Sequence, residues 1–278
     1  MNWLVLAGLA GLASNGFNIT NRTALKNKGD STAYAWWFEL IRSLFFLIVL
    51  FYKPLEKLDV QSLLMLSLVS LTELFSVYFF MKMHALSELS ISSIISRLRV
   101  VWSPLVAWLL LGEHLTTPQY LGISAIFLGI AIVTSPKEIR KDKGIKIALI
   151  FSFSSALLST VLKIAGNYAS TELIIFSQGI IPLIVMPFVM KKGLQRILES
   201  GKNKFMHNIT AGAFNIVSSY LLVEALHRSD ASKVVGIYQA MTVLSVLYGI
   251  FILKETDKMY LKILGVIIVV VGVILTVI

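Results

Sequence analysis

Five ionisable side chains stand inside stretches that are otherwise apolar: Glu39, Arg42, Glu73, Arg97 and Arg99. In lipid, an arginine at a helix centre costs about 2.5–3.5 kcal/mol even on the lenient insertion scale, so each needs a partner, water or a task. Glu39 and Arg42 are three residues apart, on one face of a helix. They form either an internal ion pair that orients the helix or the border of a polar cavity in which one partner is exchanged for a ligand. Glu73 has no basic residue three or four positions away on its own segment. It either pairs with an arginine of the next segment or takes up and releases a proton. Arg97 and Arg99 point about 200° apart on a helix and cannot share a face. One of them is then structural, held by Glu73 or by serines, and the other faces the cavity. Pro104 cannot donate to the carbonyl of Val100, which leaves an acceptor one turn beyond the arginines, and Pro182 and Pro187 do the same further on.

Other chemistries find no residues to carry them. Cysteine is absent, and the four histidines (His84, His114, His207 and His227) form no HExxH spacing. There is no GxSxG nucleophile motif and no glycine-rich phosphate loop. The sequence therefore predicts no catalytic residue, no metal and no cofactor, and ATP-driven work by this chain alone is not expected.

The elements that position these residues follow from composition. The chain is 56% hydrophobic and 14% charged, with a mean hydropathy of +0.81, against about 25% charged in soluble domains. Ten apolar segments near spanning length recur, at 3–24, 32–51, 61–82, 90–111, 117–134, 145–164, 171–190, 206–226, 233–253 and 260–277. Lipid leaves the backbone of such segments no better way than helix to satisfy its hydrogen bonds, so the expected class is an all-α membrane protein of ten transmembrane helices. The first segment lacks a cleavage-site pattern and reads as a retained helix. The formal charge of +10 suits loops facing anionic lipid better than nucleic acid.

The chain repeats itself. "YFFMKMHALSELS" from Tyr78 sets against "YLLVEALHRSDAS" from Tyr220, an offset of 142 residues. Continuing, "LLLGEHLT" sets against "FILKETDK", which aligns Glu113 with Glu255. With one inserted residue, Gly122 and Gly129 fall on Gly265 and Gly272, and these glycines read as close-packing surfaces. Arg22 matches Lys163 at the ends of segments one and six. The expected organisation is a first five-helix repeat at 1–135, a charged connector at 136–144 and a second repeat at 145–278. Five is odd, so the second copy enters the membrane inverted.

With these motifs in place the chain resembles the EamA-like ten-helix permeases of the drug/metabolite transporter superfamily. The resemblance spans essentially the whole chain. It implies a polytopic carrier of metabolites, nucleotide sugars or drugs, without naming the substrate. It also implies small or apolar residues where Arg97 and Arg99 stand, so the arginines call for their own account.

The repeat offers one. Arg97 aligns with polar Gln239, whereas Arg99 aligns with apolar Met241. Equivalent positions of an inverted repeat face each other near the pseudo-two-fold axis, so Arg97 is the expected ligand-binding arginine. Its fork suits a carboxylate or phosphate. Arg42, Tyr78, Trp37, Tyr238, Asn215 and Gln239 are expected beside it, with Asn18, Trp36, Gln178 and Tyr220 as further polar lining. Glu73, Glu39 and Arg99 are expected to couple transport or to form structural ion pairs.

The reading is a secondary carrier for a small anionic or zwitterionic metabolite, working by alternating access, with H+ or Na+ as coupling ion. The alternatives are a flippase for a lipid-linked anion and, behind it, an intramembrane lipid-modifying enzyme. A monomer or homodimer in the plasma membrane of a prokaryote is expected. Odd-numbered loops hold 16 of the 25 lysines and arginines and even-numbered loops 5. The positive-inside rule then places both termini outside, where the resemblance implies the reverse.

Overall fold

The computed structural model describes residues 2–25, 29–54, 57–86, 97–134, 145–244 and 259–278. Every regular element among them is a helix: α1 (Trp3–Leu25), α2 (Ser31–Phe51), α3 (Val60–Leu86), α4 (Arg99–Leu111), α5 (Thr117–Thr134) and α6 (Ile145–Ala165) come first. The second half supplies α7 (Thr171–Gln178), α8 (Ile180–Val189), α9 (Gly193–Asn203), α10 (Phe205–Leu226), α11 (Ala231–Ala240) and α12 (Met259–Val277). Among the described residues six helical stretches are long and apolar enough to cross a membrane: Ser31–Phe51, Val60–Met83, Lys146–Ala165, Thr171–Val189, Phe205–Leu226 and Met259–Val277. Two shorter apolar helices lie at Arg99–Leu111 and Thr117–Ile132. The expected segments 90–111 and 233–253 fall partly outside the described residues, as do the connector 136–144 and Glu255.

The two halves are interleaved. α1 packs on α10 and α3 on α6, while α4 lies against α6 and α11 against α1. α5 and α12 form the most extensive pair. Here a Cβ on Gly122 would lie 2.7 Å from the carbonyl oxygen of Gly272, and a Cβ on Gly272 2.7 Å from that of Gly122. Gly129 meets the carbonyl of Gly265 in the same way, at 2.6 Å. The order of these contacts makes α5 and α12 antiparallel. Without side chains at these points the backbones touch, which is how helices associate where no hydrophobic effect drives them together. Outward faces stay apolar: Leu63, Leu64, Leu71 and Phe75 on α3, and Ile267, Val270, Val271 and Ile274 on α12, are exposed.

Segment seven, where the sequence places Pro182 and Pro187, breaks at Gly179 into α7 and α8. The cause is Pro182, which has no N–H for the carbonyl of Gln178. The Ser70 hydroxyl of α3 donates to that carbonyl at 3.4 Å and accepts the Ile181 N–H at 2.8 Å. Pro187 likewise frees the carbonyl of Leu183, which accepts the Trp36 indole N–H at 3.0 Å. One expectation is corrected: the connection between segments seven and eight, whose lysines and glycines read as a loop, carries the helix α9.

Candidate functional site

α2 carries Glu39 and Arg42 on one inward face, and both are buried. One guanidinium nitrogen, Nη2 of Arg42, bonds Glu39 and reaches Glu73 of α3 at 3.1 Å. The expected pairing of Glu73 with an arginine of segment four is therefore replaced by a bond to Arg42. α2 and α3 pack side by side, and the i, i+3 spacing already aims Arg42 inward. Glu39 Oε1 and Arg42 Nε are buried without a hydrogen-bond partner, as are Ser43 Oγ beside them and Gln178 Oε1. The cluster thus sits against the broken segment α7–α8, where a Cβ on Gly179 would lie 1.9 Å from Ser43 Oγ.

Arg99 opens α4 and is buried. Its Nη2 donates to Ser159 of α6 at 2.5 Å, and its guanidinium carbon stands 5.3 Å from the ring centre of Tyr238. It also lies in the electrostatic field of Glu73. Arg97 points elsewhere, as two residues along a helix require. It is half-buried and donates through Nη1 to Gln239 and Thr242, each at 2.5 Å. Arg97 and Gln239 are separated by 142 residues, the offset of the sequence repeat.

The backbone is irregular at both partners. The helical pattern is interrupted at Leu98, before α4, and at Met241, after α11. The Met241 carbonyl accepts the Asn15 side-chain amide of α1 at 2.7 Å. Gly11 permits that approach, since a Cβ there would lie 2.4 Å from the carbonyl of Tyr238. Two interruptions of helix, one in each half, thus meet at a polar point.

The remaining expected residues divide. Tyr238 and Gln239 belong to this centre. Trp37 instead donates its indole N–H to the Ile197 carbonyl at 2.8 Å, beside α9. Asn215 accepts from Ser219 one turn along α10. Tyr78 stands on an exposed face with Lys82 Nζ 3.1 Å from its hydroxyl, away from the arginines. One junction that sequence alone left without a role is explained. Glu113, just past the αL cap at Gly112, accepts the Ala231 N–H at 2.8 Å and the Ser232 hydroxyl at 3.0 Å, at the N-terminus of α11. Lys163 joins it at 3.0 Å and donates to the Ser229 carbonyl at 2.6 Å. A carboxylate from one half thus caps a helix of the other, where the N-terminal N–H groups and the helix dipole favour it. Among the described residues no group of histidines and acids is placed to hold a metal.

The sequence model of the EamA-like transporter family matches residues 1–135 and 142–278. No curated protein matches the chain. A solved crystal structure, 12% identical, shares its fold with a TM-score of 0.74 over 99% of this chain and 98% of its own.

Proposed function

The chain belongs to the EamA-like transporter family, and from that premise we propose that it is a secondary carrier for a small anionic or zwitterionic metabolite. Its apolar helices and its family make it an integral membrane protein of the transporter class. The observation that carries the finer reading is the meeting of Arg97 with Gln239 and Thr242, first half with second, beside the two helix interruptions. A guanidinium has five donors in a fixed fork. A carboxylate or phosphate arriving there exchanges neutral acceptors for a charged one, and charge-assisted bonds are about twice as strong. Among the described residues of this centre, Arg42, Arg97 and Arg99 stand with Glu39 and Glu73, an excess of one positive charge that favours an anion. The antiparallel glycine seam between α5 and α12 supports an inverted repeat, and with it alternating access of the halves about a central site.

Coupling belongs to the Glu39–Arg42–Glu73 cluster. Two carboxylates share one guanidinium nitrogen, so a proton placed on Glu73 leaves a neutral Glu39–Arg42 pair. The purified protein should be stabilised against heat by members of a panel of amino acids, sugar phosphates and organic acids. Arg97→Gln should remove that stabilisation. Equal stabilisation of the variant and the parent would refute the site.

A further inference from the structure

The connection between the spans α8 and α10 is built as a surface element. α9 has 11 residues, about 16 Å of helix at 1.5 Å per residue. Gly193 fits against the end of α8 only because it has no side chain: a Cβ would lie 2.0 Å from the Pro187 carbonyl oxygen. The other face is fastened to the start of α2. Arg196 grips Asp30, the N-cap of α2, through Nε at 2.5 Å and Nη2 at 2.7 Å. Burial pushes the Asp30 carboxyl up, but Arg196 and the backbone N–H groups of the cap outweigh it and hold the group below its ordinary value. Trp37 adds its bond to Ile197, and its ring covers Gly201.

Around the helix axis α9 then shows three faces. Gly193, Ile197 and Ser200 are buried against the protein. Leu194 and Leu198, one turn apart, are 71% and 62% exposed. Gln195, Glu199 and Asn203 form a polar face, also exposed. Lys202 continues the row of the two leucines by one more turn, and Lys191 and Lys192 precede the helix, both exposed. The apolar row is flanked by Phe188 and Val189 at the end of α8 and by Phe205 and Met206 at the start of α10, all exposed. Because α9 joins the ends of two membrane spans, its height is that of the membrane surface.

We propose that α9 is an interfacial helix that binds anionic phospholipid. Leu194 and Leu198 enter the acyl boundary, and Lys191, Lys192 and Lys202 hold the headgroup phosphates. Charge complementarity selects this occupant: residues 191–204 contain five basic side chains and one acidic one, and basic clusters beside spanning helices are attracted to anionic leaflets. The proposal does not depend on which substrate the protein carries.

The test uses the absence of cysteine. Leu194→Cys, Leu198→Cys and Gln195→Cys, each carrying a nitroxide, are placed in the full chain in nanodiscs of phosphatidylcholine, alone or mixed with phosphatidylglycerol. Labels at 194 and 198 should be quenched by oxygen and shielded from a water-soluble nickel chelate, with the reverse at 195. Phosphatidylglycerol should be retained over phosphatidylcholine by about tenfold, and Lys191→Gln with Lys192→Gln and Lys202→Gln should abolish that preference. Water-exposed labels at 194 and 198, equal retention of the two lipids, or a preference indifferent to the lysines would each overturn the proposal. So would dipolar coupling between labels on two chains, which would put a second copy on this face.

Discussion

Arg97 and Arg99, two residues apart, have unlike neighbours. Arg99 is buried between Ser159 and the Tyr238 ring, while Arg97 is half-buried and reaches Gln239 and Thr242; all four partners lie in the second half. Arg97→Gln should therefore insert and fold, yet bind an anionic substrate at least about tenfold more weakly, since lost bonds to a desolvated anion cost about 2–5 kcal/mol. Arg99→Gln should lower the melting temperature, by the equivalent of about 1–3 kcal/mol, and change affinity little. Isothermal titration and thermal melts on the two variants separate these outcomes, and the opposite pattern would exchange the roles. At Glu73, replacement by Gln should abolish gradient-driven accumulation in proteoliposomes and leave counterflow exchange intact. Loss of exchange as well, with loss of folded protein, would reduce Glu73 to a structural partner of Arg42. The ionisable residues of this centre were legible in the sequence because charge is so costly in apolar segments. The partner of Glu73 was not, because that choice depends on which neighbouring helix presents its face, and α2 does so ahead of α4.

At the scale of elements, prolines announce freed carbonyls without saying what takes them. Ser70 lies 108 residues from Gln178 and Trp36 147 from Leu183, so neither could be read from local pattern. Ser70→Ala should strand both the Gln178 carbonyl and the Ile181 N–H, at about 1–3 kcal/mol. Pro182→Ala in the same chain should recover part of that loss, because residue 182 then donates to Gln178 itself. A double-mutant cycle of thermal stabilities reads the coupling, and strict additivity would contradict it. The helix α9 shows a different limit. Its apolar residues at 194, 197 and 198 have helical spacing, but the surrounding lysines and glycines suggest a loop until the Asp30 and Trp37 contacts are seen.

For the whole molecule, hydropathy and repetition carried the class and the family, and apolar segments of about 20 residues suit spanning helices rather than the shorter strands of a barrel. How the halves interleave was not readable, because it depends on contacts between segments more than a hundred residues apart. Loops of one side do meet: Asp30, in the first connection, is bound to Arg196 in the seventh. Since the seventh connection is among those richest in lysine and arginine, alkaline phosphatase fused after Ile278 should be active and a fluorescent protein there should be dark in intact cells. A bright fluorescent fusion would reverse the orientation and bring the termini inside.

The glycine seam has a consequence for heredity. Gly122 and Gly272 each occupy the space a side chain on the other would need, and the Gly265 carbonyl occupies the space a side chain on Gly129 would need. A codon change at Gly122 to a larger residue is therefore a lesion in two places, and no local change in α5 makes room for it. Second-site revertants of such an allele should map to the far end of the gene, above all to the codon for Thr276, whose hydroxyl oxygen would lie 2.6 Å from the added Cβ. Selection for restored protein level would find them. Revertants confined to codons near 122 would mean that α5 can shift away from α12 without its partner's help.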